Sequence, residues 1–235
     1  MSVETRMEKG KEILAHIEAV VWDLDGTLYR YNDLFLEACN VAATRTAIAM
    51  GLPLSYDEAL DMAVKSEILH GSSFKLFEAY GLRYEDFHDP YHKAVDAAVV
   101  EKNAALREAL ESLAMPMVIL TNASRDWARR TLDHLEYSHL FPDARLLALE
   151  DVGFRTKSQS ADGFLKALSM MGAEAGRTLM VEDLPHNLHK AKEIGMTTAL
   201  VRHGRNDRGD AYTQKPAHVD LVAEDTLSLL GWLPG

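Results

Sequence analysis

A single cysteine, Cys39, in 235 residues excludes an intrachain disulfide and any cysteine-built zinc cluster, and suits a reducing compartment. No run approaches the roughly 18 apolar residues that a membrane helix needs. The first residues, MSVETRMEKGKEIL, are charged throughout and lack the apolar centre of a secretory signal. A soluble, cytoplasmic protein is therefore expected. Basic residues are in the minority, with 25 Lys and Arg against 36 Asp and Glu for a formal net charge of −11. That balance argues against a nucleic-acid polymer or an anionic membrane as partner, because both require a basic face. Internal repeats and low-complexity tracts are absent as well.

What is present reads as a globular enzyme-sized chain. Hydrophobic residues make up 47% and charged residues 26%, ample for a core, and the length suits one large domain or one domain carrying an insertion. Short apolar runs recur at Ala19–Trp22, Met117–Leu120, Leu146–Leu149, Leu179–Val181 and Thr198–Val201. Unbroken by polar residues, they read as strands buried on both faces. Helical spacing falls between the later ones: Trp127, Thr131 and Leu135; Phe164, Leu168 and Met171; Leu188, Ala191 and Ile194. Ser124 is placed to cap the first of these, and Pro185 with Gly195 brackets the third. The run His218-Val-Asp-Leu-Val222 reads as a last strand, followed by a short helix near Asp225–Leu230. The alternation predicts an α/β fold, a Rossmann-like parallel sheet flanked by helices.

One stretch breaks the alternation. From Tyr31 to Lys102 the pattern is helical only, with Leu34, Ala38, Val41 and Ile48 on one face and a Ser55-x-x-Glu58 capping box before Leu60, Val64 and Ile68. We read residues 31–102 as an inserted all-helical cap domain, and residues 1–30 with 103–235 as the α/β core. The helix at Leu106, Leu110 and Leu113 returns the chain to the second strand. The segment from Arg202 to Lys215, rich in Arg, Asp and Gly, reads as a mobile loop.

Ligands of open parallel sheets bind at the carboxyl ends of the strands, and four such ends carry polar residues. Asp23-Leu-Asp25-Gly-Thr27 follows the first strand, with Gly26 allowing a sharp turn. Thr121-Asn122 follows the second, two neutral groups suited to an anion's oxygens. Glu182-Asp183 follows the fourth, and Lys157 lies in the loop before the Phe164 helix. Four carboxylates answered by one lysine demand a cation, and all-oxygen ligands select a hard one such as Mg²⁺. A phosphate oxygen can then approach. One carboxylate can attack phosphorus, giving an aspartyl-phosphate, while another, its pKa raised by like charges, stays protonated and delivers a proton to the leaving oxygen.

Asp23-Leu-Asp-Gly-Thr-Leu28, the strand ending in Thr121-Asn122, Lys157 and Val181-Glu-Asp183 stand in the order and context of the haloacid dehalogenase superfamily, which the chain resembles from Val20 to about Val201. The resemblance implies Asp23 as nucleophile and metal ligand, and Asp25 as general acid/base with its carbonyl on the metal. It implies Thr121 as a phosphate-binding hydroxyl with Asn122 beside it, Lys157 as the cation neutralising nucleophile and phosphate, and Asp183 as a metal ligand aided by Glu182. It also implies a helical cap that excludes water and selects the leaving group. Wider wording, in Trp22–Tyr29, Glu150-Asp-Val-Gly-Phe-Arg155 and Glu182-Asp-Leu-Pro-His-Asn187, is similar to the pyrimidine 5′-nucleotidase branch. Gly26 stands where that branch often has Asn, and Ser158 where Pro usually follows the lysine.

The function expected is Mg²⁺-dependent hydrolysis of a small phosphorylated metabolite, with a nucleoside 5′-monophosphate as one substrate. A phosphoglucomutase-like phosphotransferase, a haloacid dehalogenase and a silent phosphate-binding protein are the alternatives. Among the remaining residues, His70-Gly-Ser-Ser-Phe-Lys75 reads equally as a substrate-reading loop or an interhelix turn. His186 and His189 read as a solvated helix face, and Cys39 as a small core residue.

Overall fold

The computed structural model describes residues 3–203 and 215–234. The loop expected across 202–215 therefore lies, from 204 to 214, outside the described residues. Six parallel strands form the sheet: β1 Ala19–Trp22, β2 Met117–Leu120, β3 Leu146–Leu147, β4 Thr178–Glu182, β5 Thr197–Val201 and β6 Leu221–Ala223, in the order β3-β2-β1-β4-β5-β6. The helices are α1 Val3–Leu14, α2 Asp33–Ala49, α3 Tyr56–His70, α4 Tyr84–Lys93, α5 Ala104–Glu111, α6 Arg125–Leu135, α7 Asp162–Met171, α8 His189–Glu193 and α9 Thr226–Leu230. No described helix is long and apolar enough to cross a membrane.

The period-two geometry of a strand explains why these runs are apolar without a break. Val20, Trp22, Met117, Ile119, Leu179 and Val181 face one layer, with Leu106 and Leu110 of α5 and Leu132 of α6. Val21, Val118, Leu120 and Met180 face the other, against Phe164 and Ala167 of α7 and Ala191 of α8. Helix α1, which the charged N-terminal sequence did not announce, packs through Gly10 close to the Trp232 indole, where a Cβ would overlap the ring.

Two strands differ from expectation. The run Leu146–Leu149 pairs only over its first two residues, because Asp151 accepts the Ala148 N–H at 2.8 Å and turns the chain into a 3-10 helix at Leu149–Val152. The last strand begins at Leu221 rather than His218, since Asp220 accepts from Thr198 N and both Thr198 and Lys192 side-chain donors, fixing a turn just before it.

Residues 31–102 hold only helical elements, α2, α3 and α4 with 3-10 turns at Lys75–Tyr80 and Ala97–Val99. They carry a small core of their own. Ala43 and Ala47 of α2 meet Ala59 and Ala63 of α3, short side chains that let the two helices approach, and Phe74, Phe77 and Phe87 fill the remainder. The Ser55/Glu58 capping box starts α3 as expected, and Gly71, in the left-handed conformation, ends it. Both connections to the sheet are tied down. Asn32 caps α2 and donates across to Val99 O at 3.2 Å, while Arg130 of α6 donates to His92 O and Val95 O at 2.7 and 2.8 Å.

Candidate active site

The strand order reverses at β1, with β2 on one side and β4 on the other, and the crevice at this switch is where ligands bind in such sheets. A cavity of about 720 Å³ opens there, between the strand ends and the helical segment. Asp23, Asp25, Thr121, Asn122, Lys157, Glu182 and Asp183 all line it, so the fold brings these seven residues together.

Asp23 continues β1, its N–H donating to Val181 O at 2.9 Å. Its carboxylate is buried and accepts from Thr27 Oγ1 at 3.0 Å and from Lys157 Nζ. The chain then turns at Gly26, with φ of 82°, a region that only glycine enters cheaply. A Cβ there would collide with the Asp183 carboxylate, so glycine also makes room for the acid behind it.

Lys157 is 3% exposed, and all three of its ammonium protons are used, on Asp23, on Glu182 Oε2 at 2.5 Å and on Leu120 O at 3.2 Å. The ammonium thus bridges two of the four carboxylates. Glu182 is fixed on its other oxygen by Leu184 N and Asn187 Nδ2 at 3.2 and 3.1 Å. Burial pushes the Asp23 carboxyl up to about 8, aided by the neighbouring Glu182 charge and opposed by Lys157. Burial works against the Lys157 charge, yet Asp23 and Glu182 overcome it and hold the ammonium above the ordinary lysine range.

Asp25 is held differently. Its carboxylate accepts from the Tyr29 hydroxyl, from Trp127 Nε1 at 2.6 Å and from Thr121 Oγ1 at 3.4 Å, and its carbonyl accepts from the Tyr31 hydroxyl at 2.9 Å. Its pKa is raised by desolvation first, against which the Tyr29 and Trp127 hydrogen bonds pull down. The expected direction is right, but the cause is burial rather than like charge. Tyr31 and Phe35 stack at 4.9 Å with rings 8° apart, Phe35 leans on Trp127, and together they roof this carboxylate.

Asn122 serves the protein before any ligand: its Oδ1 accepts the Lys157 N–H at 3.1 Å. One oxygen each from Asp23, Glu182 and Asp183 lies within 4.8 Å of the others, an all-oxygen donor set that suits a hard divalent cation. The segment His70–Lys75 lines the cavity and is held in place, Ser66 Oγ donating to Ser72 O and Ser73 Oγ to Asn40 Oδ1. Cys39 is buried and borders the cavity, its thiol pushed up to about 12 by burial. His186 stands exposed at the rim, while His189 faces solvent with Glu193. Sequence reasoning missed Trp127 and Tyr29 as partners of Asp25, and Asn187 as the anchor of Glu182. Their periodicity reported only burial; a polar atom on each was the one available signal.

The profile of the haloacid dehalogenase-like hydrolases matches residues 17–195. The chain is 30% identical over 240 residues to the phosphoglycolate phosphatase of Rhodospirillum rubrum, covering 92% of this chain and 90% of that one. It is 26% identical over 233 residues to the pyrophosphatase PpaX of Halalkalibacterium halodurans, at 92% and 97% coverage. Among solved structures, CbbY from Rhodobacter sphaeroides in complex with phosphate has a similar fold, with a TM-score of 0.65, 17% identity and coverage of 91% and 96%. The chain belongs to the haloacid dehalogenase-like hydrolase family.

Proposed function

We propose that this protein is a Mg²⁺-dependent phosphatase of small phosphomonoesters, working through an aspartyl-phosphate on Asp23. The observation that carries the reading is the convergence at one crevice of Asp23, Asp25, Lys157 and the three-carboxylate donor set. Asp23 Oδ attacks phosphorus as the ester P–O bond breaks, and Asp25 gives its proton to the departing alkoxide. Water then attacks phosphorus, passing a proton back to Asp25, and the P–O bond to Asp23 breaks to release inorganic phosphate. Tyr29 and Trp127 orient Asp25 for both transfers. Thr121 holds a phosphoryl oxygen, Lys157 exchanges its 3.2 Å contact with Leu120 O for another, and Asn122 keeps the lysine loop in register. Asp23, Asp183 and the Asp25 carbonyl, aided by Glu182, would hold magnesium, which would draw charge from the phosphoryl group.

Residues 31–102 act as the cap in this reading, closing the crevice against water. A cavity of about 720 Å³ has room for a sugar or nucleoside on the ester oxygen, and the Tyr31–Phe35 stack offers it an apolar wall. A nucleoside 5′-monophosphate is thus one substrate of the proposal. The related phosphoglycolate phosphatase and pyrophosphatase favour phosphoryl chemistry, as does Asp25, for which carbon–halogen cleavage has no use. Phosphate release from a panel of nucleoside monophosphates, sugar phosphates and phosphoglycolate with Mg²⁺ tests it. Wild type should turn over at least one ester and Asp23→Asn none; turnover by Asp23→Asn would refute it.

A further inference from the structure

Helix α4 of the cap carries a histidine that none of the catalytic steps above uses. His88 is 1% exposed; within α4 its ring meets those of Tyr84 and His92 at 5.2 and 4.6 Å, and its remaining partners lie across the crevice. Nε2 lies 3.4 Å from the backbone oxygen of Asn122, at the end of β2. A carbonyl only accepts, so Nε2 carries the proton. Nδ1 faces Glu150 Oε1 at 3.8 Å, outside hydrogen-bond distance, and has no hydrogen-bond partner among the described residues. Glu150 is itself committed to the core, accepting the first N–H of α6 from Arg125 at 3.3 Å. Phe154 closes the socket edge-on, its ring 5.5 Å from the imidazole.

Phe154 holds φ at 58°, a left-handed conformation that is costly for a residue with a side chain and that persists where the surroundings demand it. Across the crevice the socket is walled by Asn122, Glu150 and Phe154, and within α4 by Tyr84 and His92. Asn122 is the point that matters for chemistry. Its oxygen meets His88, and its side-chain Oδ1 accepts the backbone N–H of Lys157, whose ammonium rests on Asp23. Arg130, which also ties α4 to the core, donates to the backbone oxygens of His92 and Val95 and to Asp126, and lies over the Trp127 ring. It anchors the helix without touching that path.

We infer that His88 is a positioning residue that links the seating of the cap to the placement of Lys157, through the Asn122 oxygen. Seating α4 sets the imidazole against Asn122, and Asn122 sets the lysine loop, so the phosphate-neutralising cation is aligned when the cap is docked. The inference rests on the phosphatase reading.

Steady-state kinetics on the best ester of the panel test it, with thermal denaturation alongside. H88F fills the socket without a donor and should lower kcat by about ten- to a hundredfold, the scale of a small misplacement at a catalytic group, with KM within about twofold. H88Q, whose amide nitrogen reaches about as far as Nε2, should recover most of that loss. In an N122A background, where the link to Lys157 is already cut, H88F should cost nothing further. Should H88F not fold, H88M carries the same expectations. Unchanged kcat in H88F, H88Q as poor as H88F, or multiplying effects of H88F and N122A would each overturn the inference while wild type still turns over. A wild type that releases phosphate from no ester, and binds no inorganic phosphate with Mg²⁺ by calorimetry, would remove the phosphatase reading and this inference with it.

Discussion

Replacing Lys157 by methionine keeps the length and apolar stem of the side chain and deletes only the charge. The ammonium lies 3% exposed between Asp23 and Glu182, themselves 4% and 1% exposed, and all three of its protons are engaged. Without it, two carboxylates remain buried side by side. Breaking a buried pair by removing one partner costs about 3–5 kcal/mol, because the stranded charge keeps its desolvation penalty. At about 2–4 °C per kcal/mol for a chain of this size, the melting temperature should fall by roughly 6–20 °C. Urea denaturation with a chelator present, so that no cation replaces the lysine, reads the change directly. Glu182→Gln removes one of the stranded charges, so the double variant should recover about 1–3 kcal/mol relative to additivity. A loss below about 1 kcal/mol, or strict additivity, would refute the view of Lys157 as the counter-ion of both acids.

Trp127→Phe removes the 2.6 Å hydrogen bond that orients Asp25; a small misplacement of a catalytic group predicts a kcat about ten- to a hundredfold lower with KM little changed. Gly26→Ala must place a methyl at φ of 82° against Asp183, so the Mg²⁺ concentration for half-maximal activity should rise about tenfold, measured by metal titration of turnover. For Asp220, burial raises the pKa, but hydrogen bonds from Lys192 and Thr198 outweigh it and hold the carboxyl below its ordinary value. Its contribution, roughly 1 kcal/mol after solvent screening, is present above the unfolded value near 4 and lost as pH falls through the lower folded value. Asp220→Asn should therefore be less stable than wild type at neutral pH, with the difference vanishing in acid, by urea denaturation across pH.

The runs at Ala19–Trp22, Met117–Leu120 and Leu179–Val181 could be read as strands because a sheet buried on both faces leaves no polar alternation. The helical segment could be read because Ser55 and Glu58 form a local signal that tertiary context does not alter. Leu146–Leu149 was over-read, since hydrophobicity marks burial and only the Asp151 hydrogen bond shows where pairing stops. Trp127 was assigned to the core by its spacing, correctly, but periodicity reports which way an indole points and not that its N–H meets a carboxylate in a different element.

The sequence by itself determined the alternation of elements and the inserted helices, and it put Asp23, Asp25, Thr121 and Asp183 at strand ends and Lys157 in a loop, because each depends on residues near one another in the chain. Tertiary structure alone decided the partners. Lys157 reaches Asp23 across 134 residues, Trp127 reaches Asp25 across 102, and His88 of α4 meets Asn122 at the end of β2. Those distances close only when parallel strands stack their carboxyl ends at one crevice, and it is burial there, more than the count of charges, that raises the carboxyl pKa of Asp25.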